Sequence, residues 1–351
     1  MSLFEELSLL MNANKLRDKY NLLKSVLPSK TGNVSKILSS YYISRWTGKV
    51  RQWGMPFSLS VEPTTACNLH CPECPSGLRS FTRPTGHLDM PLFQKIVDEL
   101  SYHLLYLNFY FQGEPFIHKE LEDMIAYAVS KGIYTSSSTN AHFLNEERAE
   151  KIVRSGLNRL IISIDGSTQE IYEQYRRGGQ LKKVIEGTKK LLIARKRLRS
   201  HTPYTIFQFL IVRPNEHQIG EIRALAKELG VDEVKLKTAQ IYNFEKGHPL
   251  IPTNDKYSRY MKQEDGRYRI KNPLHNQCWK LWHSAVITWD GRVLPCCFDK
   301  NASYEMGNIK DYTFTEIWNG KSYRAFRERL LRGRKEIDIC RNCSEGTRVW
   351  T

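Results

Sequence analysis

Between residues 57 and 240, short apolar runs alternate with stretches in which apolar residues recur every three or four positions. The runs at 57–61, 104–111, 133–139, 159–164, 205–212 and 233–238 have the length and the β-branched and aromatic content of strands. Helical periodicity marks 91–101, 119–131, 145–155, 181–197 and 217–229. Alternation of this kind predicts a parallel sheet with helices packed on it. Six strands, two short of a closed barrel, predict an α/β fold of the open, TIM-like (β/α)6 type, where ligands gather at the carboxyl ends of the strands.

The pattern differs on either side. Residues 1–53 read as a helical extension, with Leu3, Phe4, Leu7, Leu10 and Met11 at helical spacing and then the basic, aromatic run Tyr41-Tyr42-Ile43-Ser44-Arg45-Trp46. After 240 the chain turns polar, and Gly247, Pro249 and Pro252 mark a linker to about 275. Segments 285–288 and 292–295 flank Trp289-Asp290-Gly291, a hairpin signal, because Asp-Gly supplies the left-handed turn that hairpins need. An amphipathic helix is predicted over 322–331. The chain therefore divides into the extension 1–53, a barrel over 54–245, and a linker with a small C-terminal domain over 246–351.

A chain of 351 residues with 40% hydrophobic content can bury a full core. No apolar run is long enough to span a membrane, and the charged start does not resemble a secretory signal, which predicts a cytoplasmic protein. In that reducing compartment the eight cysteines point to metal or redox ligation rather than disulfides. The net charge of +16 asks for an anionic partner: RNA, a membrane surface, or a phosphorylated or lipid-linked substrate. No nucleic-acid module accompanies the basic residues, which argues against the first. The basic N-terminal segment also fits peripheral attachment at an anionic membrane.

Candidate chemistry sits at the predicted strand ends. Cys67, Cys71 and Cys74 follow the first strand at C-x3-C-x2-C spacing and can converge on one inorganic centre. Zinc with His70 as fourth ligand is one reading; a [4Fe-4S] cube with one iron left open is the other. The second strand runs into Gln112-Gly113-Glu114-Pro115, where a glycine lets backbone approach a ligand and a carboxylate suits an ammonium. The third ends in Ser138-Thr139-Asn140, and the fourth in Ser163-Ile164-Asp165-Gly166, followed by Tyr175-Arg176. Arginine there suits a carboxylate. Downstream, Cys278, Cys296, Cys340 and Cys343 make a closed four-thiolate site for zinc or [4Fe-4S]. Strand alternation would turn Cys297 to the opposite face as a buried structural thiol.

The first cysteine loop resembles the signature of the radical S-adenosylmethionine (SAM) superfamily, and the C-x12-G-x4-C spacing of Cys278, Gly291 and Cys296 resembles its SPASM/twitch extension. The resemblance covers residues 57–345 and implies the partial barrel, with SAM chelating the open iron. It implies SAM contacts at Gly113, Glu114, Asn140, Ser163, Asp165 and Arg176, and one auxiliary [4Fe-4S] cluster on Cys278, Cys296, Cys340 and Cys343. Gln112 replaces the first glycine of the family's GGEP pattern. Glu73 stands where an aromatic residue commonly packs on adenine, and 211–215 lacks the glycine-rich adenine contact. The implied activity is reductive SAM cleavage to a 5′-deoxyadenosyl radical, fed by a flavodoxin- or ferredoxin-type donor. An oxidoreductase acting on a sugar, an aminocyclitol or an anionic, lipid-linked metabolite is the leading expectation. A peptide- or RNA-modifying enzyme and a non-catalytic zinc protein are the alternatives. Gln208 and Lys237 are substrate-contact candidates by strand position.

Overall fold

The computed structural model describes residues 3–26 and 28–346, with side chains over 13–26 and 30–346. The side-chain stripe of Leu3, Phe4, Leu7, Leu10 and Met11 lies outside the described residues. The expected parallel strands form: β1 (Ser58–Val61), β2 (Tyr106–Asn108), β3 (Tyr134–Thr139), β4 (Arg159–Ser163), β5 (Tyr204–Ile211) and β6 (Glu233–Thr238), each bonded to the next. Leu59, Leu107, Ile162 and Phe209 point outward and are fully buried under the helices, which is where the core sits. The inward positions include Ser60, Asn108, Ser136, Ser138, Ser163 and Gln208, with the apolar Ile161 and Ile206 among them.

β2 is shorter than its apolar run. Phe109 still donates to Ser136 O at 2.7 Å, but beyond it the chain leaves the sheet, and Glu114 N bonds Ala66 O at 2.7 Å. The second strand end is thereby tied to the first cysteine loop.

The barrel sheet does not stop at β1. Past the antiparallel pair β7 (Tyr260–Lys262) and β8 (Tyr268–Ile270), which fold the polar linker, β9 (Ser284–Ile287) pairs parallel to β1, with Ser58 opposite Ser284. β10 (Arg292–Leu294) and β11 (Gly307–Asn308) extend the sheet antiparallel, giving nine strands. The predicted Asp-Gly hairpin is the β9–β10 turn, and it covers what would be an open sheet edge. The cysteine-rich tail is thus fused to the barrel through hydrogen bonds.

The N-terminal extension forms α1 (Leu3–Lys24) and α2 (Pro28–Thr47). Asp18 is buried, accepting from Tyr134 Oη and Arg159 at the amino ends of β3 and β4, so α1 closes the bottom of the barrel. Lys30 is buried too, donating to Leu104 O at 2.8 Å. Tyr41 of α2 packs edge-on against Trp279 and Trp282, with ring centroids 5.1 and 5.5 Å away. Part of the basic N-terminal charge is therefore spent inside the molecule. Leu16, Tyr20, Leu23 and Trp46 remain exposed on the outer face. No helix among the described residues is long and apolar enough to cross a membrane.

Candidate active site

The loop after β1 is held in a tight coil by contacts that only small residues allow. A Cβ on Gly77 would lie 2.5 Å from Cys71 N, and one on Gly113, whose φ is +75°, would lie 2.3 Å from Thr64 O. Glycine is required at both places. Arg83 forks onto both oxygens of buried Glu62 at 2.9 and 2.5 Å and donates to Lys300 O at 2.9 Å, fixing this loop against the C-terminal domain.

Cys67, Cys71 and Cys74 form one wall of a cavity of about 220 Å³; Glu114, Ser163 and Arg176 are on the others. Burial pushes the Cys67 thiol up to about 12, and that of Cys71 up as well, opposed by the Arg176 guanidinium. Buried thiols of this kind ionise only against a strong local positive charge, which iron supplies. The triad and the cavity it lines therefore fit a cluster that keeps one coordination position for a ligand. His70 is exposed and is not part of the cavity wall. Among the described residues no three His, Cys, Asp or Glu side chains gather closely enough to hold a single metal ion.

Each predicted contact residue has a defined place. Glu114 is buried, with Oε2 accepting from Asn140 N at 2.7 Å and Oε1 from Thr139 Oγ1 at 2.7 Å. Burial raises its carboxyl above the usual range, against the pull of those donors. Asn140 Nδ2 donates to Asn68 Oδ1 at 2.8 Å, joining the third strand end to the triad loop. Gly113 and Ser163 line the cavity, as does Arg176, whose Nη1 lies 3.9 Å from Cys71 Sγ. Asp165 does not reach the wall. It is wholly buried behind Arg176, accepting from its Nε and from Leu210 N at 2.7 Å. A helix that the sequence pattern missed, Gln169–Tyr175, delivers Arg176 at its carboxyl end. Glu73, the departure beside the third cysteine, binds the linker: Oε2 accepts from Tyr242 N at 2.9 Å and Oε1 faces His248 at 3.6 Å.

The second cysteine set encloses one cavity, lined by Cys278, Cys296, Cys340 and Cys343. Cys297 lines it as well, which corrects the opposite-face expectation. The strand ends at Leu294, so both Cys296 and Cys297 lie in a turn closed by Asp299 N to Cys296 O at 3.2 Å, where alternation no longer applies. Burial raises the thiols of Cys278, Cys340 (to about 12) and Cys343 (to about 11), and the buried Arg334 opposes the shift in all three. Lys280, paired with Glu345 at 2.9 Å, adds a second cation beside the cavity. Cations around four thiolates suit a cluster of net negative charge.

The comparisons with known proteins agree with this chemistry. A model of the radical SAM superfamily matches residues 61–226, and one of the SPASM iron–sulfur cluster-binding domain matches 278–344. The PqqA peptide cyclase of Gluconobacter oxydans is 27% identical over 318 residues, covering 84% of each chain. A crystal structure of BtrN in complex with AdoMet and 2-DOIA aligns with a TM-score of 0.52 at 20% identity, covering 85% of this chain and 96% of that one. Streptococcus suis SuiB bound to S-adenosylmethionine aligns at 0.61 and 13% identity, covering 83% and 71%. The fold, the open three-cysteine site and the two domain matches lead to one conclusion: the chain belongs to the radical SAM superfamily and is a radical SAM enzyme with a SPASM domain, using SAM, a SAM-binding [4Fe-4S] cluster and an auxiliary cluster.

Proposed function

We propose that this enzyme is an oxidoreductase that removes two electrons from a sugar, an aminocyclitol or a related anionic metabolite. The observation that carries this reading is the joining of the two cysteine sites through one sheet: β9, which lies between Cys278 and Cys296, pairs with β1, which leads into the triad loop. Lys300, whose amine is held low by burial, is opposed in that shift by both Cys74 and Cys297, and its Nζ lies 2.8 Å from Tyr242 Oη. On this reading an electron leaving a substrate in the barrel mouth passes to the auxiliary site. When bound, the cofactors supply a 5′-deoxyadenosyl radical for hydrogen abstraction and an acceptor for the second electron.

The chain's own residues bind and orient. Glu114 is suited to the SAM ammonium and Arg176 to its carboxylate, with Gly113, Asn140 and Ser163 completing the cradle. Asp165 holds Arg176 in place. Cys278, Cys296, Cys340 and Cys343 are the proposed auxiliary ligands, and a flavodoxin- or ferredoxin-type protein is the proposed donor.

Anaerobic reconstitution tests the reading. About eight irons per chain are expected from two cubes, with 5′-deoxyadenosine formed under dithionite and one oxidised product per SAM consumed. Stoichiometric zinc without SAM cleavage would overturn it. A peptide-modifying role is the second reading, favoured by the similarity to the peptide cyclase. It wins if 5′-deoxyadenosine formation responds to a peptide and to no small metabolite.

A pH dependence follows from Glu114. Its carboxyl is raised by burial, and only the ionised form attracts the SAM ammonium. SAM affinity should therefore weaken on acidification at a pH above the ordinary carboxylate range. Glu114→Gln should bind SAM weakly with no such slope. Equilibrium titrations between about pH 8 and pH 5 check it, and a wild-type affinity independent of pH would contradict it.

A further inference from the structure

The two N-terminal helices cover one end of the barrel. Asp18 of α1 accepts from Tyr134 and Arg159, and Asn14 donates to Asp232 Oδ1 at 2.6 Å; these partners stand at the amino ends of β3, β4 and β6. In α2, Asn33 Nδ2 donates to Met55 O at 2.7 Å and Lys30 to Leu104 O at 2.8 Å, just ahead of β1 and β2. The cysteine triad and Arg176 lie at the opposite, carboxyl ends of the strands. The outer faces of α1 and α2 therefore look away from the cofactor cavity.

Those faces carry one sign of charge. After the buried Asp18 the chain has no Asp or Glu until Glu62. Over the same stretch Lys19, Lys24, Lys36, Arg45, Lys49 and Arg51 are exposed, and among the described residues none of them forms an ion pair. The barrel helices differ: Lys151 and Arg154 of Glu146–Arg154 and Lys182 of Leu181–Arg197 each pair with a glutamate one turn away. Large apolar side chains share the cationic surface. Leu16, Tyr20 and Leu23 recur along α1 at 66, 59 and 64% exposure, and Trp46 near the end of α2 is 76% exposed. Tyr102, in the turn ahead of β2, is exposed at the same end. The segment after Trp46 is fixed. Gly48, at φ +67°, ends the helix with its N bonded to Ser44 O at 2.9 Å, and Ser44 Oγ accepts from Arg51 N at 2.7 Å.

Unpaired like charges repel, and clustered apolar side chains cost free energy in water, so a surface that combines them calls for a partner both anionic and apolar. We propose that the outer face of α1 and α2 docks on an anionic lipid bilayer. Phosphate headgroups take the cations, while Trp46, Tyr20 and the two leucines enter the interface beneath them. RNA offers the phosphates but no apolar layer for the α1 stripe. Docked this way, the closed end of the barrel meets the membrane and the cofactor cavity points away from it. Docking is independent of which substrate the enzyme oxidises.

Sedimentation of the full, anaerobically reconstituted chain with sucrose-loaded vesicles tests this. Binding is expected to phosphatidylcholine vesicles containing about one part in three phosphatidylglycerol, not to phosphatidylcholine alone, and should fall steeply between about 0.1 and 0.5 M salt. A Lys or Arg near such a surface is worth about fivefold in partitioning, so Arg45→Gln combined with Lys49→Gln should weaken binding roughly twentyfold or more. Trp46→Ala should weaken it roughly fivefold, with the salt dependence kept. Both variants should hold wild-type iron and form 5′-deoxyadenosine at the wild-type rate without vesicles. Absence of sedimentation with the anionic vesicles overturns the proposal, as does equal binding to neutral ones or binding unaltered in both variants. Complete release of the protein by poly(U) RNA at the same phosphate concentration would also overturn it, and would mark the face as a nucleic-acid surface.

Discussion

Cys71→Ser is expected to remove the first cluster and reduce 5′-deoxyadenosine formation to background. A serine hydroxyl at neutral pH is a poor ligand for iron beside two remaining thiols, and a three-cysteine site has no spare ligand to substitute. Cys71 is 5% exposed, and its sulfur lies 3.9 Å from Arg176 Nη1, so solvent cannot readily take its place. Iron should fall from about eight to about four per chain, because the second cysteine set is untouched. Metal analysis and the visible spectrum of the anaerobic variant read this directly. A serine variant that kept full iron and cleaved SAM would remove Cys71 from the ligand set.

Asp165→Ala should have the second-largest effect, on stability and on SAM binding together. The carboxylate is 0% exposed and pairs with a guanidinium that is itself largely buried. Removing one member leaves the other as an uncompensated buried charge, a loss of about 3–5 kcal/mol. In a protein of this size that lowers Tm by roughly four to seven degrees. Arg176 would also lose the contact that orients it, so the KM for SAM should rise more than kcat falls. Asp165→Asn, which can still accept from Leu210 N, should lose less of both. Calorimetry and SAM kinetics on the two variants check the ordering. An alanine variant within a degree of wild type would show that the pair contributes nothing.

The features legible in the chain are those encoded over short distances. Six strand runs were readable because apolar and β-branched residues cluster within each one, and the β9–β10 hairpin because Asp290-Gly291 marks its turn. The cysteine triad needs only one loop. What was missed depends on residues far apart. The apolar run overstates β2 because it continues past Asn108 into a segment that wraps the triad loop instead of pairing. Strand alternation misplaces Cys297 because the strand ends at Leu294, and the residue lies in the following turn. Glu73 looked like a lost adenine contact, yet its carboxylate ties down the linker at Tyr242 and His248.

By itself the amino-acid sequence determined the kinds of element, the cysteine sets and the class of chemistry, because periodicity and ligand spacing are local properties of a chain. Tertiary structure alone decided that β9 joins β1, that α1 plugs the barrel through Asp18, and that Asp165 stands behind Arg176 rather than in the cavity. Each of these depends on hydrogen bonding and burial between segments distant in the chain, and on which side chain reaches a given space first once the backbone has closed around it.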